Sequence, residues 1–276
     1  MSLDAKLLCV ANVAYEITSP GQLYSTSDWY AKAGFLAPPV AIVGGPDGIN
    51  AAIVGKIAEG TVVSFRGTLS ADDETKPFAD RLLDWTQDFE AELVTYRGIP
   101  GTVHGGFAAA FESLFLDLEE IICDDTKVIY CGHSKGGAIA NIAAYYDAVS
   151  FDATPTVVTF GAPRCGDVAF ADAFARLPIK ATRYENAGDI VPHVPFTLEI
   201  ADIVAKHTMA STFRLDYQSV GVLQYINRPG VLFGKSFLQA ADSKLALGEL
   251  IAKGDFAGIR NAHSIHNVGH GYASIV

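Results

Sequence analysis

Ser134 stands at the centre of Gly132-His133-Ser134-Lys135-Gly136, within the stretch VIYCGHSKGGAIAN. A serine hydroxyl can attack a carbonyl carbon, but it is a weak nucleophile on its own. It needs a histidine to take its proton and a buried carboxylate to orient that histidine. The pentad alone is a common pattern, and its setting is what gives it weight. Residues 127–132 form an apolar run that reads as a buried strand, and residues 135–149 read as a helix. Ser134 would then occupy the sharp strand-to-helix turn that lifts a hydroxyl clear of a sheet. The helix N-terminus would aim backbone N–H groups at the same point, where an oxyanion would develop. Two oxyanion donors are expected: the backbone N–H of Lys135, and Thr68 at the end of the strand-like segment SFRGT.

The carboxylate belongs in a loop after a strand downstream of Ser134, and RYENAGDIVPHVP supplies Asp189 there. Asp167 in GAPRCGD competes, but it precedes DVAFADAFARL, where it reads better as a helix cap. Five histidines follow Asp189: His193, His207, His263, His266 and His270. His193 is too near Asp189 in sequence to approach it from a separate loop, and His207 lies in a helical or irregular stretch. The base is expected among His263, His266 and His270, which come after all predicted strands.

These residues need a scaffold, and the chain reads as one. Residues 51–67 suggest a hairpin of two apolar strands. Residues 105–122 have helical periodicity, with Phe107, Phe111, Leu114 and Leu118 on one face. Residues 154–163 and 179–189 suggest further strands, 217–230 one more strand and turn, and 236–255 a helix. The first residues suggest an amphipathic helix bearing Leu3, Leu7, Val10 and Ala14 on one face. Strands alternating with helices imply a mostly parallel central sheet flanked by helices, an α/β fold with function gathered beyond the strands' carboxyl ends. No linker or repeat divides the 276 residues, so a single domain, 1–276, is expected.

Composition narrows the function. Half of the residues are hydrophobic, 11% are aromatic and only 18% are charged, which is ample for a packed core. The formal net charge of −11 without a Lys/Arg cluster argues against nucleic acid as a partner. No apolar run is long enough to span a bilayer. No signal peptide is visible, so a cytoplasmic protein, or a secreted one lacking its leader, is expected. The cysteines Cys9, Cys123, Cys131 and Cys165 lack metal or disulfide-scaffold spacing, and Cys123, Cys131 and Cys165 read as small buried hydrophobes.

Taken together, the motifs resemble those of the class 3 (fungal-type) lipases. In order they are Phe65-Arg66-Gly67-Thr68, Asp84-Trp85 with Asp88, His104-Gly105-Gly106-Phe107, and the Ser134 pentad extended by Gly137. Thr159-Phe160-Gly161-Ala162-Pro163-Arg164 with Gly166-Asp167 follows, and then Asn186 through Asp189 to Val191-Pro192-His193 and Pro195. The resemblance implies an α/β-hydrolase fold and a lipase or esterase that acts through an acyl-enzyme on acylglycerols or other carboxylic esters. It implies Ser134 as nucleophile, Asp189 as acid, Thr68 and Lys135 as oxyanion donors, and His104 as structural. In the family the catalytic histidine opens a segment such as His-Ser-Met/Ile with a tyrosine soon after. That favours His263, with His270 and then His266 as alternates, although Val268 stands where an aromatic is expected. No metal or cofactor is called for. The partners implied are a small-molecule ester or lipid substrate and a transient lipid interface. The chain departs from the family at 69–84 and 197–216, which could form lids and set the substrate. A short-chain or feruloyl-type esterase is the alternative within this chemistry, and a catalytically silent binding scaffold the alternative outside it.

Overall fold

The computed structural model describes residues 1–19, 22–23, 27–69, 92–123, 125, 127–195, 217–228, 231–233 and 237–276. Both suggested lids, 69–84 and 197–216, lie outside the described residues except for the exposed Leu69. Among the described residues the largest element is an eight-stranded sheet. Its strands in chain order are β1 (Val40–Gly44), β2 (Asn50–Ile57), β3 (Gly60–Phe65), β4 (Val128–His133), β5 (Thr156–Phe160), β6 (Lys180–Asn186), β7 (Val222–Arg228) and β8 (Val231–Phe233). They lie side by side in that same order. The five strands from β3 to β7 run parallel, while β1, β2 and β8 are antiparallel to their neighbours. The fold is an α/β-hydrolase, with helices covering both faces.

The helices are α1 (Leu3–Ala14), α2 (Asp28–Ala33), α3 (Gly105–Ile122), α4 (Lys135–Ser150), α5 (Val168–Arg176), α6 (Phe237–Lys253) and α7 (Phe256–His263). Strand β4 shows how one segment serves two cores. Its side chains alternate, so Val128 and Tyr130 join the cluster under α3 and α4, while Ile129 and Cys131 join the cluster under α1. A strand buried on both faces reads as a continuous apolar run, which is why 127–132 was legible. Helix α4 is buried almost all round from Gly136 to Tyr145, as befits a helix seated between the sheet and α3.

Residues 217–230 differ from expectation. Residues 217–228 hold two strands rather than one. Tyr217–Gln218 pairs with Gly166–Asp167 in a separate four-stranded sheet, whereas β7 joins the large sheet. Gly221, at φ 83°, makes the break between them, a conformation that a side chain would oppose. Cys123 also departs from expectation: it is exposed just past the end of α3, while Cys9, Cys131 and Cys165 are buried and unpaired. Among the described residues no helix is long and apolar enough to cross a membrane.

Candidate active site

Strand β4 ends at His133, and α4 begins at Lys135. Between them Ser134 takes φ 57° and ψ −134°, a backbone state costly for any residue with a Cβ. It is held there by neighbours on both sides. Its N–H donates to the Phe160 carbonyl of β5 at 3.0 Å, and its own carbonyl accepts from Gly137 N–H at 2.9 Å. The first turn of α4 lies so close to β3 that a Cβ at Gly136 would collide with the Phe65 carbonyl. The Ser134 side chain makes no capping bond to its own helix, so the hydroxyl is not spent on structure. Thr68, half-buried, follows β3, which pairs with β4 so that Phe65 lies opposite Gly132. A Cβ on the preceding Gly67 would stand 2.8 Å from the His133 carbonyl oxygen, so this loop is pressed against the turn that carries Ser134.

Asp189 follows β6 and is fully buried. Its carboxylate has three sources of hydrogen bonds. Val191 N–H donates to Oδ1 at 2.9 Å, Tyr272 O–H donates to Oδ2 at 2.6 Å, and His263 Nδ1 lies 3.0 Å from both oxygens. An ionised carboxylate only accepts, so Nδ1 of His263 carries the proton and Nε2 is left as the basic nitrogen. Tyr272 accepts in turn from Asn186 N–H at 3.1 Å. Burial, then the Asp189 charge, pushes the Tyr272 phenol well above its ordinary value, so it stays a donor.

His263 ends α7, and its carbonyl accepts from His133 Nε2 at 2.6 Å. The Nδ1 of His133 lies 2.8 Å from the Tyr15 hydroxyl, and the two imidazole rings stand 4.5 Å apart. Burial, then the nearby His263, holds His133 well below the ordinary histidine range, so it is neutral. A neutral imidazole has one N–H. Nε2 faces a carbonyl and must donate, so Nδ1 accepts from Tyr15 O–H. The residue before Ser134 thus ties the His263 backbone to the elbow.

The other candidates fall elsewhere. His266 is exposed and packs against Tyr15 and Trp29, with centroids 5.9 and 6.4 Å away. His270 is exposed, and its carbonyl accepts from Asn186 Nδ2 at 2.6 Å. His193 is buried in the 3-10 turn Val191–His193, and His207 lies outside the described residues. Asp167 caps α5, accepting Phe170 N–H at 2.8 Å, and His104 caps α3, accepting Phe107 N–H at 3.3 Å. Lys135 sends its ammonium to Asn50 Oδ1 at 3.1 Å. Among the described residues no three His, Cys, Asp or Glu gather as metal ligands. Sequence reasoning gave no role to Tyr15 or His133. At position 268, where an aromatic is expected, the chain has an exposed Val268; the tyrosine that meets Asp189 is Tyr272, nine residues after His263.

Known proteins share this arrangement of chain. A lipase from Rhizomucor miehei is 31% identical over 158 residues, 53% of this chain and 40% of that protein. The chloroplastic phospholipase A(1) DAD1 of Arabidopsis thaliana is 28% identical over 159 residues, 49% of this chain and 33% of that protein. The matched stretches therefore span less than half the length of either relative. The Rhizomucor miehei lipase propeptide complex superposes with a TM-score of 0.64 at 21% identity, over 88% of this chain and 75% of that one, which establishes the fold. The family described as lipase (class 3) matches residues 62–199, half of the chain, and with that match the chain belongs to the class 3 lipase family.

Proposed function

We propose that this protein is a serine ester hydrolase of lipase type, working as one domain, with Ser134, His263 and Asp189 as its triad. The observation that carries the reading is the buried Asp189–His263 hydrogen bond, with His263 anchored through its carbonyl to the residue before Ser134. Ser134 Oγ attacks the ester carbonyl carbon while His263 Nε2 takes its proton. Asp189 stabilises the resulting imidazolium without taking the proton itself. The oxyanion of the tetrahedral intermediate is held by Thr68 and by the Lys135 N–H at the positive end of α4; losing one such donor costs about 10²–10³ in kcat. The intermediate collapses to an acyl-serine, and the alcohol leaves with the proton from His263. Water then attacks the acyl carbon by the same steps in reverse and releases the carboxylic acid. Lys135 serves through its backbone, because its side chain is turned to Asn50.

The substrate class proposed is an acylglycerol or another carboxylic ester met at a lipid surface, in keeping with the lipase and phospholipase A1 relatives. The test is hydrolysis of p-nitrophenyl esters together with labelling by a fluorophosphonate. Labelling should vanish in Ser134→Ala. His263→Ala should lower kcat by roughly 10³-fold or more, whereas His266→Ala and His270→Ala should stay within about threefold of wild type. A His263→Ala enzyme with near-normal turnover would overturn the triad.

A further inference from the structure

Helices α3 and α4 border a cavity of about 210 Å³ whose lining includes none of Ser134, Asp189 and His263. It reaches Asp147, which lies thirteen residues along α4 from Ser134, roughly 20 Å at the helical rise per residue. The cavity is small beside the roughly 300–1,000 Å³ of sites for drug-sized ligands, so it suits a single ring or a short alkyl chain.

Its walls have two characters. Four rings form the apolar side: Phe111 meets Phe115 at 5.7 Å, Phe115 meets Tyr146 at 5.0 Å, and Tyr146 meets Phe151 at 6.1 Å, all edge to face. Phe151 is half exposed and marks the mouth. The polar side is acidic, with Glu119, Asp125 and Asp147 lining the cavity and no Lys, Arg or His among the described lining residues. Asp125 is engaged by the Thr61 hydroxyl at 2.7 Å. Asp147 is different. It is 5% exposed, and its carboxylate receives the Tyr130 hydroxyl, yet its buried Oδ2 has no hydrogen-bond partner among the described residues. A buried carboxylate oxygen without a partner is costly unless something supplies a donor or a positive charge.

The chemistry of the complement follows. Three carboxylates repel a fatty acid or any other anion. Among the described residues the three carboxylates do not gather as metal ligands, and water would leave the ring walls without a partner. Aromatic faces attract an organic cation. Two of these rings already do so on a smaller scale: the Arg97 guanidinium, held by Glu112 and not lining the cavity, lies 4.2 Å from the Phe115 centroid and 5.1 Å from that of Tyr146. We propose that this cavity binds a small hydrophobic amine in its protonated form, with the ammonium toward Asp147 and the aryl or alkyl group among the rings.

The test is calorimetric titration of the full chain at pH 8 with 2-phenylethylamine, and with 2-phenylethanol as its uncharged analogue. The amine should bind saturably and at least tenfold more tightly than the alcohol. Asp147→Asn, which keeps an acceptor for Tyr130, should weaken the amine at least tenfold and leave the alcohol unchanged. Ser134→Ala should leave amine affinity unchanged, since the site is remote from the elbow. The proposal is overturned if the amine shows no saturable binding, if the alcohol binds as tightly, if Asp147→Asn has no effect, or if Ser134→Ala abolishes binding. The amine–alcohol comparison uses the wild-type chain and does not depend on any variant folding.

Discussion

The backbone at Ser134 makes a prediction about stability that is separate from catalysis. A residue with a Cβ at φ 57°, ψ −134° carries about 1–3 kcal/mol of strain, held in place by the Phe160 and Gly137 hydrogen bonds. Ser134→Gly removes the Cβ and with it the strain. Ser134→Ala removes the hydroxyl but keeps the Cβ, so it is the reference state. The hydroxyl makes no capping bond, so its loss is shared by both variants and costs little. Against the relief stands glycine's greater freedom when unfolded, about 0.5–1 kcal/mol. The glycine variant should therefore exceed the alanine variant by about 0.5–2 kcal/mol, or ~1–8 °C in Tm at the sensitivity of a chain this long. Thermal unfolding followed by circular dichroism, with both variants at one pH and concentration, reads the difference. Neither variant should hydrolyse ester. An alanine variant as stable as the glycine one would show that the turn relaxes without cost, and the strain argument would fail.

Two further predictions concern the groups behind the site and the remote carboxylate. Tyr272→Phe leaves Asn186 N–H unpaired in the core and takes one donor from Asp189, a loss of about 2–4 kcal/mol. Thermal unfolding of Tyr272→Phe beside the wild type reads the loss, and an unchanged Tm refutes the role. Burial raises the Asp147 carboxyl to about 6, with Tyr130 hydrogen-bonded to it and Glu119 and Asp125 beside it in the cavity wall. The native state then binds this proton more tightly than the unfolded chain, so the group lowers stability as pH rises from about 4 to about 6. Asp147→Asn should accordingly gain roughly 1–3 kcal/mol at pH 8 and nothing near pH 3.5, as read by urea unfolding at the two pH values. Equal gains at both would remove the electrostatic cause.

The parts of the site that could be read from sequence are those built from neighbours in the chain. The elbow needs only an apolar strand, a glycine-rich turn and a helix, all within residues 127–149. Asp167 was readable as a helix cap because a cap lies three residues from the N–H that it accepts, whereas His104 was taken as structural from the resemblance, and its capping of α3 came from the structure. Choosing among His263, His266 and His270 was harder, because they sit within eight residues and share the same composition. What separates them is tertiary. His263 stands at the end of α7, where its ring meets Asp189, 74 positions away, and its carbonyl meets His133, 130 positions away. Tyr272 reaches Asp189 across 83 positions and Tyr15 reaches His133 across 118, and no local pattern marks either contact. The split of 217–230 at Gly221 escaped for a related reason: one apolar run serves two different sheets.

Those long-range bonds also fix the direction in which protons are shared. Asp189 accepts from Tyr272 and Val191, and as a carboxylate it accepts from His263 as well. His263 therefore presents Nδ1–H to Asp189 and keeps Nε2 basic. The His263 carbonyl accepts from His133 Nε2, so His133 must hold its single proton there and receive Tyr15 O–H on the other nitrogen. Burial opposes a charge on His133, so the ring stays neutral. With Asp189 as a carboxylate and His133 neutral, every bond in the cluster is satisfied when His263 carries its proton on Nδ1. In the proposed reaction, when His263 gains the proton of Ser134, the new charge faces Asp189 on one side and an uncharged His133 on the other. A neutral His133 beside the proposed nucleophile leaves the imidazolium of His263 without a cationic neighbour at that contact, which favours its formation.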